Sequence, residues 1–276
     1  MVHLKSALGQ GMLLCSMHRG FMDWIAVISG FGIGAIVGMT GVGGGSLMTP
    51  LLISVFKLNP AIAIGTDLWF AAVTKSGGAL AHHRHGHVDY RVAGLMLAGS
   101  IPAAIATIGM MHWTGVTKGW SNALTISLGI ALLLTALTVA YRKAWHALGL
   151  KLERWLPERR KMTLTVVAGL LLGVLVSLSS IGAGAVGATL ILLLYPRIPA
   201  YRLVGTDIAH AVPLTLVAGI GHATLGHVEW TLLGALLAGS LPGIWLGAHL
   251  TKSMPEQWVR GLLCTSLVAA GLKVIF

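Results

Sequence analysis

Gly65-Thr66-Asp67 returns as Gly205-Thr206-Asp207, an offset of 207 − 67 = 140 residues, and the flanks keep the same register. His82 falls on His222, and Gly86-His87-Val88-Asp89-Tyr90 falls on Gly226-His227-Val228-Glu229-Trp230. Gly94 falls on Gly234, and Ala98-Gly99-Ser100-Ile101-Pro102 on Ala238-Gly239-Ser240-Leu241-Pro242. A gap-free register of this length marks a tandem duplication. Both copies set an acid inside a strongly apolar run, where a charge is expensive.

The surrounding composition is that of a chain in lipid. Of 276 residues, 55% are hydrophobic and 10% charged, with a mean hydropathy of +0.83; a soluble domain carries about a quarter charged residues. Thirty-seven glycines suit close helix packing and broken helices. The formal charge of +11 does not point to nucleic acid, because the cations sit in short loops and one central segment, as the positive-inside rule expects. Cys15 and Cys264 form no disulfide framework or metal motif.

Residues 1–20 read as a weakly amphipathic head that stays in the mature protein, since no small-residue cleavage site separates it from the apolar run after Arg19. The run from Trp24 to Phe56 is too long for one span and is broken at Gly41-Val42-Gly43-Gly44-Gly45, giving two helices with a short second one. Gly30, Gly34 and Gly38 form a smooth face ahead of the break, which reads as packing. Further spans are predicted over 60–81, 91–112 and 119–141, then over 163–180, 183–195, 200–221, 229–250 and 257–275.

Between the copies, residues 142–161 hold Arg142, Lys143, Lys151, Arg154, Arg159, Arg160 and Lys161 against Glu153 and Glu158, with Trp145 and Trp155 interleaved. This reads as a surface-lying linker helix with anionic lipid headgroups as its partner. Five segments per copy is an odd number, so two fully spanning copies would enter the membrane with opposite orientation. Placing the linker in the cytoplasm collects twelve cations on that side: the linker's seven plus Arg84, Arg91, Arg197, Arg202 and Lys252. The outer side keeps five, Lys5, Arg19, Lys57, Lys118 and Lys273. Both termini then lie outside, and only the short second segment of each copy is open between spanning and re-entrant.

The sequence thus predicts an all-α integral membrane protein of two inverted-topology repeats, each of about five helical segments, with glycine-broken helices near the midplane. Its parts are a head (1–20), a first membrane repeat (21–141), the basic cytoplasmic linker (142–161) and a second, inverted repeat (162–276).

Matched helix breaks are where secondary transporters hold substrate. The break at Gly41 to Gly45 aligns with Gly182-Ala183-Gly184-Ala185 and Gly187. Glycines there either let backbone N–H groups approach an anion or only let helices cross. On a helix starting near Ala61, Asp67, Lys75, Gly78 and His82 share a sector of about 80° at 100° per residue. Lys75, whose mate is Thr215, either neutralises Asp67 or faces a cavity and attracts an anion. In the second copy Asp207, His210 and His222 share a face, with Pro213 expected to kink the helix. Asp67 and Asp207, with His82, His210 and His222, are candidate proton-coupling groups. The plainer reading has the two acids capping a helix or bonding a neighbouring backbone. The run His82-His83-Arg84-His85-Gly86-His87 reads as a wet, pH-sensitive loop, with a metal site as the lesser reading. No nucleophile and base motif, phosphate loop or dinucleotide fingerprint appears, so neither enzymatic activity nor a cofactor is expected.

These residues resemble the sulfite exporter family TauE/SafE, also called the toluene sulfonate uptake family. The likeness rests on Gly38-Met39-Thr40-Gly41-Val42-Gly43-Gly44-Gly45, Thr49-Pro50-Leu51 and Ala63-Ile64-Gly65-Thr66-Asp67, then on Gly205-Thr206-Asp207, His222, Gly226-His227-Val228-Glu229-Trp230 and Gly239. The second copy departs where the family has a glycine triplet and a proline, with Ala183-Gly184-Ala185 and Leu190. The resemblance implies a carrier of the bacterial or archaeal cytoplasmic membrane for small sulfur-containing anions such as sulfite, thiosulfate, sulfonates or sulfoacetate, driven by the proton gradient. Together with the residues above it yields an expected anion site of Gly43, Gly44, Gly45, Thr66, Lys75, Gly184 and Thr206, with no metal. A passive anion channel and a metal-ion transporter using the histidine loop are the alternatives.

Overall fold

A computed structural model describes residues 24–39, 45–115, 118–250 and 256–275. The head, Cys15, Gly41 to Gly44 and Lys252 lie outside them, so the expectations placed there are not addressed by the structure. The described residues are all-helical, in eleven helices: α1 (Trp24–Met39), α2 (Gly45–Ser54), α3 (Pro60–Arg84), α4 (Tyr90–Thr114), α5 (Lys118–Ala140), α6 (Arg142–Glu153), α7 (Glu158–Ser179), α8 (Ala185–Leu194), α9 (Ala200–Thr224), α10 (Trp230–Leu250) and α11 (Glu256–Ile275). Five of them contain stretches long and apolar enough to cross a membrane: Tyr90–Thr114, Asn122–Ala140, Glu158–Ser179, Ala200–Thr224 and Trp230–Gly247.

The duplication extends to element boundaries. Adding 140 to the bounds of α2 and α3 gives the bounds of α8 and α9. Local chemistry sets several ends. Asn59 caps α3, its side chain accepting from the Ala61 amide at 3.0 Å with Pro60 at the first helical position. Asp89 caps α4 by accepting from the Arg91 and Val92 amides, both at 3.1 Å. The second segment of each copy is a helix of ten residues. At 1.5 Å per residue that is about 15 Å, half a bilayer's hydrocarbon thickness, so neither crosses alone. α9 continues through Pro213, which is accommodated inside the helix.

Glycine packing sets the direction of the helix pairs. Gly30 and Gly34 of α1 lie against the backbone of Leu236 and Ser240 of α10, and Gly239 and Gly243 answer against Val27 and Phe31. The repeat-related pair does the same: Gly169 and Gly173 of α7 lie against Met96 and Ser100 of α4, and Gly99 against Val166. These pairs run parallel. Repeat mates run antiparallel: Trp69 of α3 donates to the Gly219 carbonyl of α9 at 3.0 Å while Gly78 meets Ile208, and in α5 and α11 Ala136 meets Cys264 while Leu132 meets Gly271. Gly30 and Gly34 therefore form a packing surface, as their spacing suggests.

A Cβ added at Gly99 would run into the Val166 carbonyl. Gly99→Val should therefore cost about 1–3 kcal/mol by overpacking, read as a lowered midpoint of thermal unfolding in detergent. An unchanged midpoint would show that α4 and α7 are free to separate.

Candidate functional site

The core of the molecule is polar where α3 and α9 meet the two short helices. Asp67 is the eighth residue of α3 and Asp207 the eighth of α9, so neither caps its helix. Both are buried, at 0% and 5% exposure. The Thr49 hydroxyl of α2 donates to Asp67 Oδ2, and Asp67 Oδ1 has no partner. Thr189, the repeat mate of Thr49, instead bonds the Ala185 carbonyl of its own helix at 2.7 Å. Asp207 Oδ1 lies directly against Gly187, where a side chain would displace it, and it too has no partner. An unpartnered carboxylate oxygen away from water costs free energy, so two of them in one core point to something they meet during function.

Lys75 stands between these acids. It is 8% exposed and donates from Nζ to the carbonyl of Ala183, in the break between α7 and α8. Among the described residues the ion pairs are Arg91–Glu158, Lys161–Glu153 and Arg197–Glu153, and none joins Lys75 to Asp67. The ammonium sits within electrostatic reach of Asp67, Asp207 and His210 and is fixed by a backbone oxygen. Its mate, Thr215, folds back on the Ala211 carbonyl at 2.9 Å.

The break itself is shaped by backbone. Ser180 ends α7 in the left-handed region at φ 59°, and Gly182 follows at φ 120°, which a side chain rarely adopts. Gly184 then opens α8, with Gly187 and Ala188 donating to Gly182 and Gly184 at 2.9 and 2.8 Å. The Ala185 and Val186 amides have no acceptor among the described residues, leaving the positive end of α8 facing Asp207 and the break that carries the Lys75 contact. The Ser180 hydroxyl lies beside Asp67 without completing a hydrogen bond to it.

His210 lies one turn beyond Asp207, buried, with Nε2 3.0 Å from Ser100 Oγ of α4 and Nδ1 unpartnered. Lys75, Asp67, Asp207, His210 and the Gly184 break thus converge. Thr66 and Thr206 adjoin the two acids in sequence but turn to other partners, and His82 and His222 sit near the C-terminal ends of α3 and α9. Thr66 Oγ1 accepts from the Glu229 amide at 3.0 Å and Thr206 Oγ1 from the Asp89 amide at 2.9 Å. His222 Nε2 is 2.9 Å from the Ser177 carbonyl and its Nδ1 is 3.4 Å from His227 Nδ1. Burial pushes the His227 imidazole below its ordinary pKa. In the histidine loop, His83 bonds the Tyr90 hydroxyl, His85 Nδ1 is 2.7 Å from the Ala81 carbonyl, and His87 stacks near Tyr201 with ring centres 4.7 Å apart. Among the described residues no group of three or more His, Cys, Asp or Glu is placed to hold a metal ion.

Sequence reasoning overlooked Thr49, Ser100 and Ser180. Ser100 carried a usable signal, because it repeats as Ser240 inside the Ala-Gly-Ser motif and a repeated hydroxyl in an apolar helix asks for a partner. Thr49 carried the same signal, since it repeats as Thr189, whereas Ser180, aligned with Thr40, carried none beyond its proximity to the break.

Across residues 26–274 the chain matches the family model described as "Sulfite exporter TauE/SafE". A Bacillus subtilis (strain 168) protein named "Probable membrane transporter protein YjnA" is 36% identical over 252 residues, covering 90% of this chain and 98% of that relative. Another from the same organism, "Probable membrane transporter protein YdhB", is 27% identical over 251 residues, covering 89% and 97%. A Xylella fastidiosa (strain 9a5c) protein, "Probable membrane transporter protein", is 27% identical over 222 residues, covering 79% and 81%. No solved structure matches the chain. An apolar helical bundle with a buried polar centre and these relatives is an integral membrane transporter and not an enzyme; the chain belongs to the sulfite exporter TauE/SafE family.

Proposed function

We propose that the protein is a secondary transporter that moves a small sulfur-containing anion, of the sulfite, thiosulfate, sulfonate or sulfoacetate class, across the bacterial cytoplasmic membrane by alternating access coupled to protons. The observation that carries this reading is the Lys75 ammonium held at the start of α8 between two carboxylates, each with an unpartnered oxygen and one from each copy. An anion arriving there meets a fixed cation and the free amides of a helix N-terminus, while the carboxylates and His210 can exchange protons. The family description supports the sulfur-oxyanion class.

The anion contacts are Lys75 and the Gly184 break, with Gly43, Gly44 and Gly45 as the matching break of the first copy; Thr66 and Thr206, expected here from the sequence, are taken up by the Glu229 and Asp89 amides. Asp67, Asp207 and His210 form the coupling set, with His82 and His222 leading to the two surfaces. The antiparallel run of α3 against α9 and of α5 against α11 supports two repeats of opposite orientation, 21–141 and 162–276. The twelve-to-five division of cations supports a cytoplasmic linker at 142–161 with both termini outside. That linker is fixed to the short helix of the second copy: Gly149 of α6 lies against the Leu192 and Leu193 carbonyls of α8, and His146 Nε2 is 3.0 Å from the Pro196 carbonyl. Its exposed cations and Trp155 are turned outward, which suits anionic lipid headgroups.

The test is thermal stabilisation of the purified protein against sulfite, thiosulfate, sulfate, sulfoacetate, taurine, phosphate and chloride. A ligand at 100 times its Kd stabilises the native state by about 2.7 kcal/mol, so a shift of several degrees with one sulfur anion is expected. A shift with a divalent metal and none with any anion overturns this reading.

A further inference from the structure

The two Gly-Thr pairs mark where each copy receives the other's hairpin. The hairpin after α9 turns at Gly226 (φ 73°) and closes with the His227 amide donating to the His222 carbonyl at 2.9 Å. Its match after α3 turns at Gly86 (φ 66°) and closes with the His87 amide donating to the His82 carbonyl, also at 2.9 Å. The first hairpin seats on Gly65-Thr66: the Glu229 amide reaches Thr66 Oγ1, and the His227 carbonyl occupies the space where a Gly65 side chain would stand. The second seats on Gly205-Thr206 in the same way, through the Asp89 amide and the His87 carbonyl. Because α3 and α9 run antiparallel, the seats lie toward opposite ends of the pair, Gly65-Thr66 beside Asp67 and Gly205-Thr206 beside Asp207, with Lys75 between them.

The seats are not equally tight. At the 222–229 end His222 is fully buried, its two ring nitrogens engaged by the Ser177 carbonyl and His227, which is itself 7% exposed. At the 82–89 end His82 and His87 are half-buried, His82 Nδ1 has no partner, and His85 is exposed. A carrier with a central site needs one end sealed while the other loosens.

We propose that the two hairpins are the gates of the transport path, and that Gly65-Thr66 and Gly205-Thr206 are their seats, with the 222–229 gate shut in this structure and the 82–89 gate the looser one. This rests on the transporter reading and reassigns the two threonines from substrate contact to positioning. Glycine is required at 65 and 205 because a hairpin carbonyl must reach the helix backbone for closure. Opening one gate and closing the other then exchanges the exposure of the Lys75 cluster between the two sides.

The test uses the full chain carrying Ser177→Cys beside the shut gate, with Cys15→Ser and Cys264→Ser, in membrane vesicles of both orientations treated with a membrane-impermeant thiol reagent. Gly65→Ala should raise labelling of position 177, from one face of the membrane only. The expected rise is about tenfold or more, the shift in open population from losing one buried hydrogen bond and its seat. Gly205→Ala should leave labelling at or below the starting level. Thr66→Val and Thr206→Val should reproduce this opposition with smaller amplitude, and they decide the matter if an alanine variant fails to fold. Unchanged labelling in folded Gly65→Ala and Thr66→Val overturns the proposal, as does an equal rise in both matched variants, which would mean general loosening. The readout needs no substrate: opposed labelling without an anion response in the stabilisation panel would refute the transported class and leave the gates standing.

Discussion

Lys75→Met is expected to abolish anion uptake into liposomes while the protein remains folded and monodisperse. Lys75 is a cation in the interior of the apolar bundle, 8% exposed, with a backbone carbonyl as its direct partner. Burying an ammonium in lipid surroundings is costly, and the carbonyl of Ala183 supplies one acceptor for three donors. A hydrogen bond from a charged group is worth about 1.5–3 kcal/mol, so its loss weakens anion binding by about 10- to 100-fold. Transport at ordinary substrate concentration falls further if the ammonium also holds the anion during the swing. Methionine keeps most of the volume and removes a buried charge, so stability should change little or rise. Lys75→Arg should keep part of the activity, since the charge persists and its shape does not. Undiminished uptake by Lys75→Met would sink the assigned role.

How much of this was legible in the sequence depends on whether a residue obeys the repeat. The frame does. Gly65 and Gly205, Thr66 and Thr206, His82 and His222, and Gly99 and Gly239 occupy matched places, and the offset of 140 marks them. The packing role of Gly30 and Gly34 was readable from spacing alone, because small residues every fourth position make a flat helix face. The short second helix in each copy was also readable, because glycines interrupt a run too long for one span.

The centre was harder, because it breaks the symmetry. Lys75 aligns with Thr215, His210 with Phe70, and Gly187 with Leu47 in the repeat register. Thr49 serves Asp67, whereas its mate Thr189 turns to its own helix. A helical wheel places Asp67 and Lys75 on one side of α3, and it contains nothing about Ala183, 108 residues away, whose carbonyl takes the ammonium. Contacts of that range are set by how α7 ends at Ser180, a left-handed serine with no sequence signature. The two copies supply matching gates and a non-matching centre, which suits a molecule that must treat its two sides alike and its substrate as one object.

The same asymmetry separates the roles of the two acids and gives the second large effect. Asp67 is tied to α2 through the Thr49 hydroxyl, while Asp207 faces Gly187 with Oδ1 unpartnered and has His210 one turn away. Asp207 is therefore the better group to take up and release a proton in each cycle. Asp207→Asn, isosteric with the protonated acid, should still exchange labelled for unlabelled anion across liposomes within about twofold of the original rate, because only uphill movement consumes the proton gradient. It should fail to concentrate the anion. With one proton coupled per anion, a gradient of one pH unit can sustain about a tenfold concentration ratio, since 1.4 kcal/mol corresponds to a factor of ten. The variant should settle at a ratio near one, whichever side is made acidic. Asp67→Asn, by contrast, removes the acceptor of the Thr49 hydroxyl and should depress exchange and accumulation together. Normal accumulation by Asp207→Asn would show that the coupling proton is carried elsewhere, and Asp67 would become the group to test next.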